Sequence, residues 1–299
     1  MDLANELLFL GKADEISTYS HYQQREKRSK KEKFTTTILI FLQRTTMIIT
    51  GTVRVITYSQ YLKDKYGIKE VEFEDDNLTL DKKRAMALFD KMIEKRIDIA
   101  WSAPNGIALW TLDKELLLKM KKSGCYRLSL PIESGDQKML SETIGKPLNL
   151  NMVKEIMKDI ELYRFETCAF FIVGFPNETK EQLKNTFRFA NQLRVDSLLF
   201  FYAMPYPGTR LYSIYKENNH PSGDFYCNSL RTREAIIYNR HLNAREIEKM
   251  IAWQVLKHKI YLLYRNPRAF YRTVVKRFFR TTPYFLYFIK KIIKALLNL

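Results

Sequence analysis

From about residue 67 the chain alternates short apolar or β-branched runs with longer stretches in which apolar positions recur every three or four residues. The runs 69–74 (KEVEFE), 98–103 (DIAWSA), 125–132 (CYRLSLPI), 168–174 (CAFFIVG) and 197–203 (SLLFFYA) predict strands. Between them the 3.6-residue period predicts helices. Ala85, Phe89, Met92 and Ile93 share a face in 81–96, and Leu116, Leu117 and Met120 share one in 112–123. In 150–163 the face is Val153, Ile156, Met157 and Ile160, and in 178–193 it is Leu183, Phe187, Ala190 and Leu193. The boundary signals agree. Gly124 stands where a helix C-cap belongs, and Thr179 and Gln182 have the spacing of a capping box.

Strand, helix, strand, helix, with nearly continuous apolar strands, is the pattern of a parallel sheet covered by helices. The expected fold is α/β: a partial TIM-type (β/α) barrel with a helical, basic C-terminal extension. Three regions are expected. Residues 1–45 form a divergent or disordered segment, 46–220 the barrel core, and 221–299 a helical region that opens with Asn243 and Glu246 at capping-box spacing. The first strand is expected at 46–50 (TMIIT) and a helix over 58–66, ending at Gly67.

Charge sharpens this division. The chain of 299 residues has a net charge of +17, yet residues 67–220 balance almost evenly, and residues 257–299 contain no acid at all. A uniformly basic nucleic-acid binder would look different, so no specific nucleic acid is expected. The tail "YRTVVKRFFRTTPYFLYFIKKIIKALL" mixes aromatics, aliphatics and cations as interfacial helices do. It reads equally as a solvated extension or as a segment for an anionic membrane surface. No run reaches the roughly 18 apolar residues of a membrane span. Cys125, Cys168 and Cys227 are odd in number and far apart, and no signal peptide is evident. They read as reduced thiols of a cytoplasmic protein. His21, His220, His241 and His258 have no zinc-site spacing, and no Walker or dinucleotide glycine motif occurs.

The carboxyl ends of the strands carry the candidate chemistry. They hold Glu74-Asp75-Asp76-Asn77, then Ser102 and Asn105, then Glu133 and Ser134, then Gly174 with Asn177 and Thr179, then "AMPYPGTRLY". Ordinary turn chemistry explains any one of these ends. The whole set points to a small-molecule site, because parallel α/β folds gather their ligands at this edge.

Four motifs in order, "KYGIKEVEFEDDNLTLDKKR", "MKKSGCYRLSLPIESGDQKML", "FFIVGFPNETKEQ" and "YAMPYPGTRLY", resemble the core of radical S-adenosylmethionine (SAM) enzymes. The nearest branch is the one that often carries a cobalamin-binding domain ahead of the barrel. The resemblance runs from about 58 to 217 and weakly through "YLLYRNPRAF". It implies a barrel that binds a 4Fe–4S cluster and SAM, and that cleaves SAM reductively to start radical chemistry on an organic substrate. By resemblance, Asp75, Asp76 and Asn77 stand where the family contacts the methionine ammonium, which needs acceptors. Glu133 and Ser134 match the strand end that reaches the ribose hydroxyls. Gly174 matches the strand beside the adenine, and Met204 begins the backbone edge next to it. Ser102, closing its strand, joins these as a candidate cofactor contact. Asn177 stands near a position where some branches have glutamate, with Glu178 one residue later.

One family element is missing. The resemblance implies three cysteines spaced C-x-x-x-C-x-x-C after the first strand, and this chain has none before Cys125. Cys125 and Cys168 precede their strands, at the end opposite the polar tips, and Cys227 is isolated. No metal ligands are therefore assigned, and a cobalamin domain is absent from the amino-terminal stretch. A short connection between 46–50 and 58–66 would leave little room for a cluster loop. The first 60 or so residues read as a truncation, a frameshifted frame or a diverged remnant. Two functions follow: a truncated or degenerate radical SAM protein, or a catalytically silent, membrane-surface-associated binding or scaffold protein.

Overall fold

Six strands run parallel, and their order across the sheet is their order along the chain. In the computed structural model they are β1 (Thr37–Ile40), β2 (Glu70–Phe73), β3 (Ala100–Ala103), β4 (Cys125–Glu133), β5 (Glu166–Val173) and β6 (Ser197–Tyr202). The helices are α1 (59–66), α2 (Lys82–Glu94), α3 (Lys114–Lys122), α4 (Leu150–Leu162), α5 (Lys180–Gln192), α6 (Arg210–Glu217), α7 (Ala244–Arg265) and the short α8 (Pro267–Phe270). The structure describes residues 37–40, 59–73, 78–217 and 239–276. β1 and β6 are the outer strands, so the sheet is an open, partial barrel among the described residues.

The sequence pattern explains most of these elements. Asp81, Asp113 and Asn149 cap α2, α3 and α4 by accepting backbone N–H bonds, and complete capping boxes open α5 (Thr179, Gln182) and α7 (Asn243, Glu246). The expected helix faces are buried, with Leu88 replacing Ile93 on α2. Along each strand alternate residues face the helices. Phe73, Trp101, Leu128, Leu130, Ile132, Ala169, Phe171 and Val173 form this fully buried layer. Trp101 is its centre. Its ring stacks on Phe89 at 5.1 Å and meets Phe73 edge-on at 5.3 Å, while Nε1 donates to the Ser123 carbonyl at 3.1 Å. Gly124 sits so close to β3 that a Cβ there would lie 2.4 Å from the Ile99 carbonyl oxygen.

The strand before β2 is Thr37–Ile40, within the stretch expected to precede the core; residues 46–50 lie outside the described residues. Four residues in extended conformation are enough to pair with β2, and Thr and Ile favour that conformation in "TILI" as much as in "TMIIT". Residues 41–58 therefore separate β1 from α1, so the connection is long and lack of room is no objection to a cluster loop. The objection is chemical: 41–58 contain no cysteine, histidine or carboxylate.

The C-terminal helices belong to the same body. Val173, Leu183 and Phe187 pack with Leu242 and Ile247 in a second cluster. Gln254 on α7 exchanges hydrogen bonds with Asn191 on α5, at 2.5 and 3.3 Å. Arg272 reaches the amino-terminal end of the sheet, pairing with Glu166 at 2.8 Å and Asp196 at 3.0 Å.

Candidate ligand site at the carboxyl rim

The sheet's concave face is polar in its first layers. Glu72, Ser102 and Arg127 are neighbours in register across β2, β3 and β4. Arg127 Nη2 donates to Glu72 at 2.8 Å and to Ser102 at 3.2 Å, and Ser102 Oγ donates to Glu72 at 3.3 Å. A register shift in the β3–β4 pairing lets Tyr126 turn inward as well. Its hydroxyl donates to Glu70, and burial, reinforced by that carboxylate, pushes the phenol up to about 12. Ser102 is thus tied into a network inside the sheet and does not line the rim.

At the rim, the end of β4 breaks the ordinary backbone rules. Glu133 has φ +71°, left-handed for a residue that is not glycine. Such a backbone costs about 1–3 kcal/mol and persists only when its surroundings fix it. Lys146 supplies one fixing contact. Its Nζ donates to the Pro131 carbonyl at 2.5 Å and to Glu133 Oε1 at 2.5 Å. The two side chains are 10% and 23% exposed, respectively. The Lys146 ammonium also lies 5.8 Å from the centre of the Trp110 ring, at cation–π distance.

Three chain segments shape a cleft of about 380 Å³ around this pair: 105–108 and Trp110 after β3, Pro131 and Glu133 on β4, and 144–147. Two glycines make it possible. Gly106 has φ +115°, and a Cβ there would come within 2.9 Å of Pro131, so the loop lies flat on β4. Gly145, at φ +72°, ends the π-helical turn Met139–Ile144 and delivers Lys146 to the cleft.

The neighbouring residues face elsewhere. Ser134 is buried against α5, 3.1 Å from Thr186 Oγ1, and accepts from the Asp136 N–H at 3.1 Å. It pins the strand end to α5 and does not line the cleft. Gly174 (φ +84°) turns the end of β5, and its N–H donates to Glu178 Oε2 at 2.6 Å. Glu178 is buried, and its Oε1 has no partner. Burial pushes this carboxyl up to about 7 against the pull of the Gly174 and Phe175 N–H groups; the Asp136 charge adds to the rise. Asn239 straps the same turn, donating to the Phe175 carbonyl at 2.6 Å and the Glu178 carbonyl at 2.8 Å. Met204 follows β6 at the rim, its carbonyl accepting from the Tyr206 N–H at 3.0 Å. Glu74, Asp75, Asp76 and Asn77 lie outside the described residues, directly after β2. Lys146, Trp110 and Asn239 were not singled out from sequence; the only signal for Lys146 was the turn dipeptide Gly145 before it.

The described residues offer no donor set that fits a 4Fe–4S cluster. Among the described residues no three His, Cys, Asp or Glu side chains gather where they could hold a metal. Cys125 does not precede β4 but opens it, and Cys168 is the third residue of β5, which begins two residues before its apolar run. Each still lies at the amino-terminal half of the sheet, away from the rim. Cys125 is fully enclosed, and burial pushes its thiol well above the usual range. Cys227 lies outside the described residues.

Residues 52–190 match the family model of the radical SAM superfamily. An uncharacterized methyltransferase of Pyrococcus horikoshii is 33% identical over 66% of this chain and 42% of its own length. Cytidylyl-2-hydroxyethylphosphonate methyltransferase of Streptomyces wedmorensis is 37% identical over 50% of this chain and 29% of its own. The chain therefore spans less than half the length of these relatives. Among solved structures, the radical SAM methyltransferase TsrM of Kitasatospora setae, with cobalamin and a 4Fe–4S cluster bound, aligns over 52% of this chain and 32% of that one, at TM-score 0.47 and 16% identity. The match to the radical SAM superfamily runs from ahead of α1 into α5, and these residues carry β2 to β5 of the open parallel β/α sheet.

Proposed function

We propose that this chain is a degenerate radical SAM domain that binds S-adenosylmethionine at the carboxyl rim and builds no cluster from its own cysteines. The observation that carries this reading is Glu133, held in a left-handed backbone conformation over a cleft walled by Trp110, Ile107 and Ile144. A carboxylate beside an aromatic face suits a nucleoside, whose sugar offers hydroxyl donors and whose base offers a flat apolar surface. Asp75, Asp76 and Asn77, following β2, would accept from the methionine ammonium, and Gly174 and Met204 would border the adenine. In this reading the chain's own residues bind and orient the nucleoside. Both relatives are methyltransferases, which supports methyl transfer as the reaction class of an intact counterpart. Calorimetric titration of the full chain with S-adenosylhomocysteine tests the binding. Saturable one-site binding, weakened tenfold or more in Glu133→Ala, supports the reading; no binding contradicts it.

A second reading, a silent protein at an anionic membrane surface, is favoured by α7. Trp253, Ile260 and Tyr264 share one face and are 50%, 49% and 78% exposed, beside Lys257, Arg265 and Arg268. No described helix is long and apolar enough to cross a membrane. Sedimentation with phosphatidylserine vesicles across a salt series tests it: an apolar anchor resists salt, and loss of all binding in moderate salt would speak against one.

A further inference from the structure

We infer that Lys146 is a positioning residue that sets Glu133 to recognise a vicinal diol and tunes the cleft toward unphosphorylated nucleosides. This rests on the reading of the rim as a nucleoside site and adds the residue that decides which sugars it takes.

An ordinary surface ion pair is mobile and solvated, and its partners could be exchanged without consequence. Lys146 is different on three counts. Its side chain is only 10% exposed, its ammonium bridges the carbonyl of Pro131 and the carboxylate two residues later, and it rests over Trp110. The bridge spans the register shift between Pro131 and Glu133, where β4 leaves regular pairing with β5. Lys146 thereby fixes the side chain of a residue whose backbone is already strained.

The geometry leaves part of the carboxylate free. An ionised carboxyl group has about four acceptor directions. Lys146 uses one, on Oε1, and no described residue donates to Oε2. The remaining directions on both oxygens can accept two hydroxyl groups side by side, which is the spacing a cis-diol presents. The same pairing removes the cleft's free cation. With Nζ committed to Pro131 and Glu133, no other cation among the described lining residues balances a phosphate on the sugar, and Glu133 would repel one.

The test compares adenosine, 2′-deoxyadenosine and 3′-adenosine monophosphate as ligands of the full chain, by calorimetry. The wild-type chain should prefer adenosine over 2′-deoxyadenosine by roughly tenfold, the value of one hydrogen bond to a charged group. It should bind the monophosphate more weakly than adenosine. In Lys146→Met the preference for adenosine should shrink toward unity, and Lys146→Arg should restore part of it. Glu133→Gln, which leaves Lys146 in place, should also lose the preference and serves if Lys146→Met fails to fold. A purely structural lysine would weaken all three ligands equally, so an unchanged ratio in Lys146→Met, or in Glu133→Gln, overturns the inference while leaving nucleoside binding intact. Absence of adenosine binding to the wild-type chain overturns the function reading and this inference together.

Discussion

Two glutamates stand at the ends of neighbouring strands, and their surroundings give them opposite characters. Glu133, ending β4, faces an open cleft, is paired with Lys146 and has a strained backbone. Glu178, just past β5, is buried without a cation and spends its carboxyl on the Gly174 and Phe175 N–H groups. The first is arranged to meet something from outside. The second holds a turn together. Residue type and position along the fold are nearly the same; the difference comes from solvent and from one lysine.

The comparison breaks hardest at Glu178. Glu178→Ala leaves two buried N–H groups unpaired and should cost about 2–4 kcal/mol of stability, read as a lower urea midpoint. Glu178→Gln keeps an acceptor and should cost much less. The pH profile separates the two effects further. A carboxyl raised to about 7 in the folded state contributes stability that is complete below its unfolded value near 4.5 and is lost as pH rises through 7. His258 acts in the opposite sense. Burial first, and the Lys259 charge second, lower it to about 4, so its contribution is complete above about 6.5 and is lost as pH falls toward 4. The two slopes oppose each other between pH 4.5 and 6.5. Glu178→Gln should therefore show stability rising with pH across that window, and His258→Leu should show it falling, each by roughly 2 kcal/mol. Equal profiles in both variants would remove the assigned roles.

Smaller effects belong to the exposed carboxylate. Glu133→Gly should change stability by less than about 1 kcal/mol, because relief of the left-handed backbone offsets the lost Lys146 contact. It should nonetheless abolish nucleoside binding. The exposed pair Lys158–Glu155 sets the floor: Lys158→Ala should move stability by less than about 0.5 kcal/mol.

The contrast also marks what sequence could convey. The apolar periods located β2 to β6 and the buried faces of four helices, and the capping boxes at Thr179 and Asn243 were readable because their chemistry is local. Thr37–Ile40 was not singled out as a strand, since four β-prone residues among many similar ones carry no distinguishing signal and only pairing with β2 selects them. Of the expected strand-end residues, Asn105 and Glu133 line the cleft, and its details were not readable. Ser134 turns to Thr186, and Lys146 arrives from thirteen residues beyond Glu133 through a π-helical turn. The turn that carries Glu178 is likewise held by Asn239, far along the chain, which donates to the Phe175 and Glu178 carbonyls. These are tertiary facts, set by which elements meet.

The separation of binding from redox chemistry is the centre of the account. It is tested most directly by counting iron and acid-labile sulfide per chain after anaerobic reconstitution, with visible absorption recorded in parallel and S-adenosylhomocysteine present. The absence of cysteine, histidine and carboxylate from 41–58 predicts substoichiometric iron and no charge-transfer band, while the nucleoside still binds. A stoichiometric 4Fe–4S cluster with its visible band would contradict it.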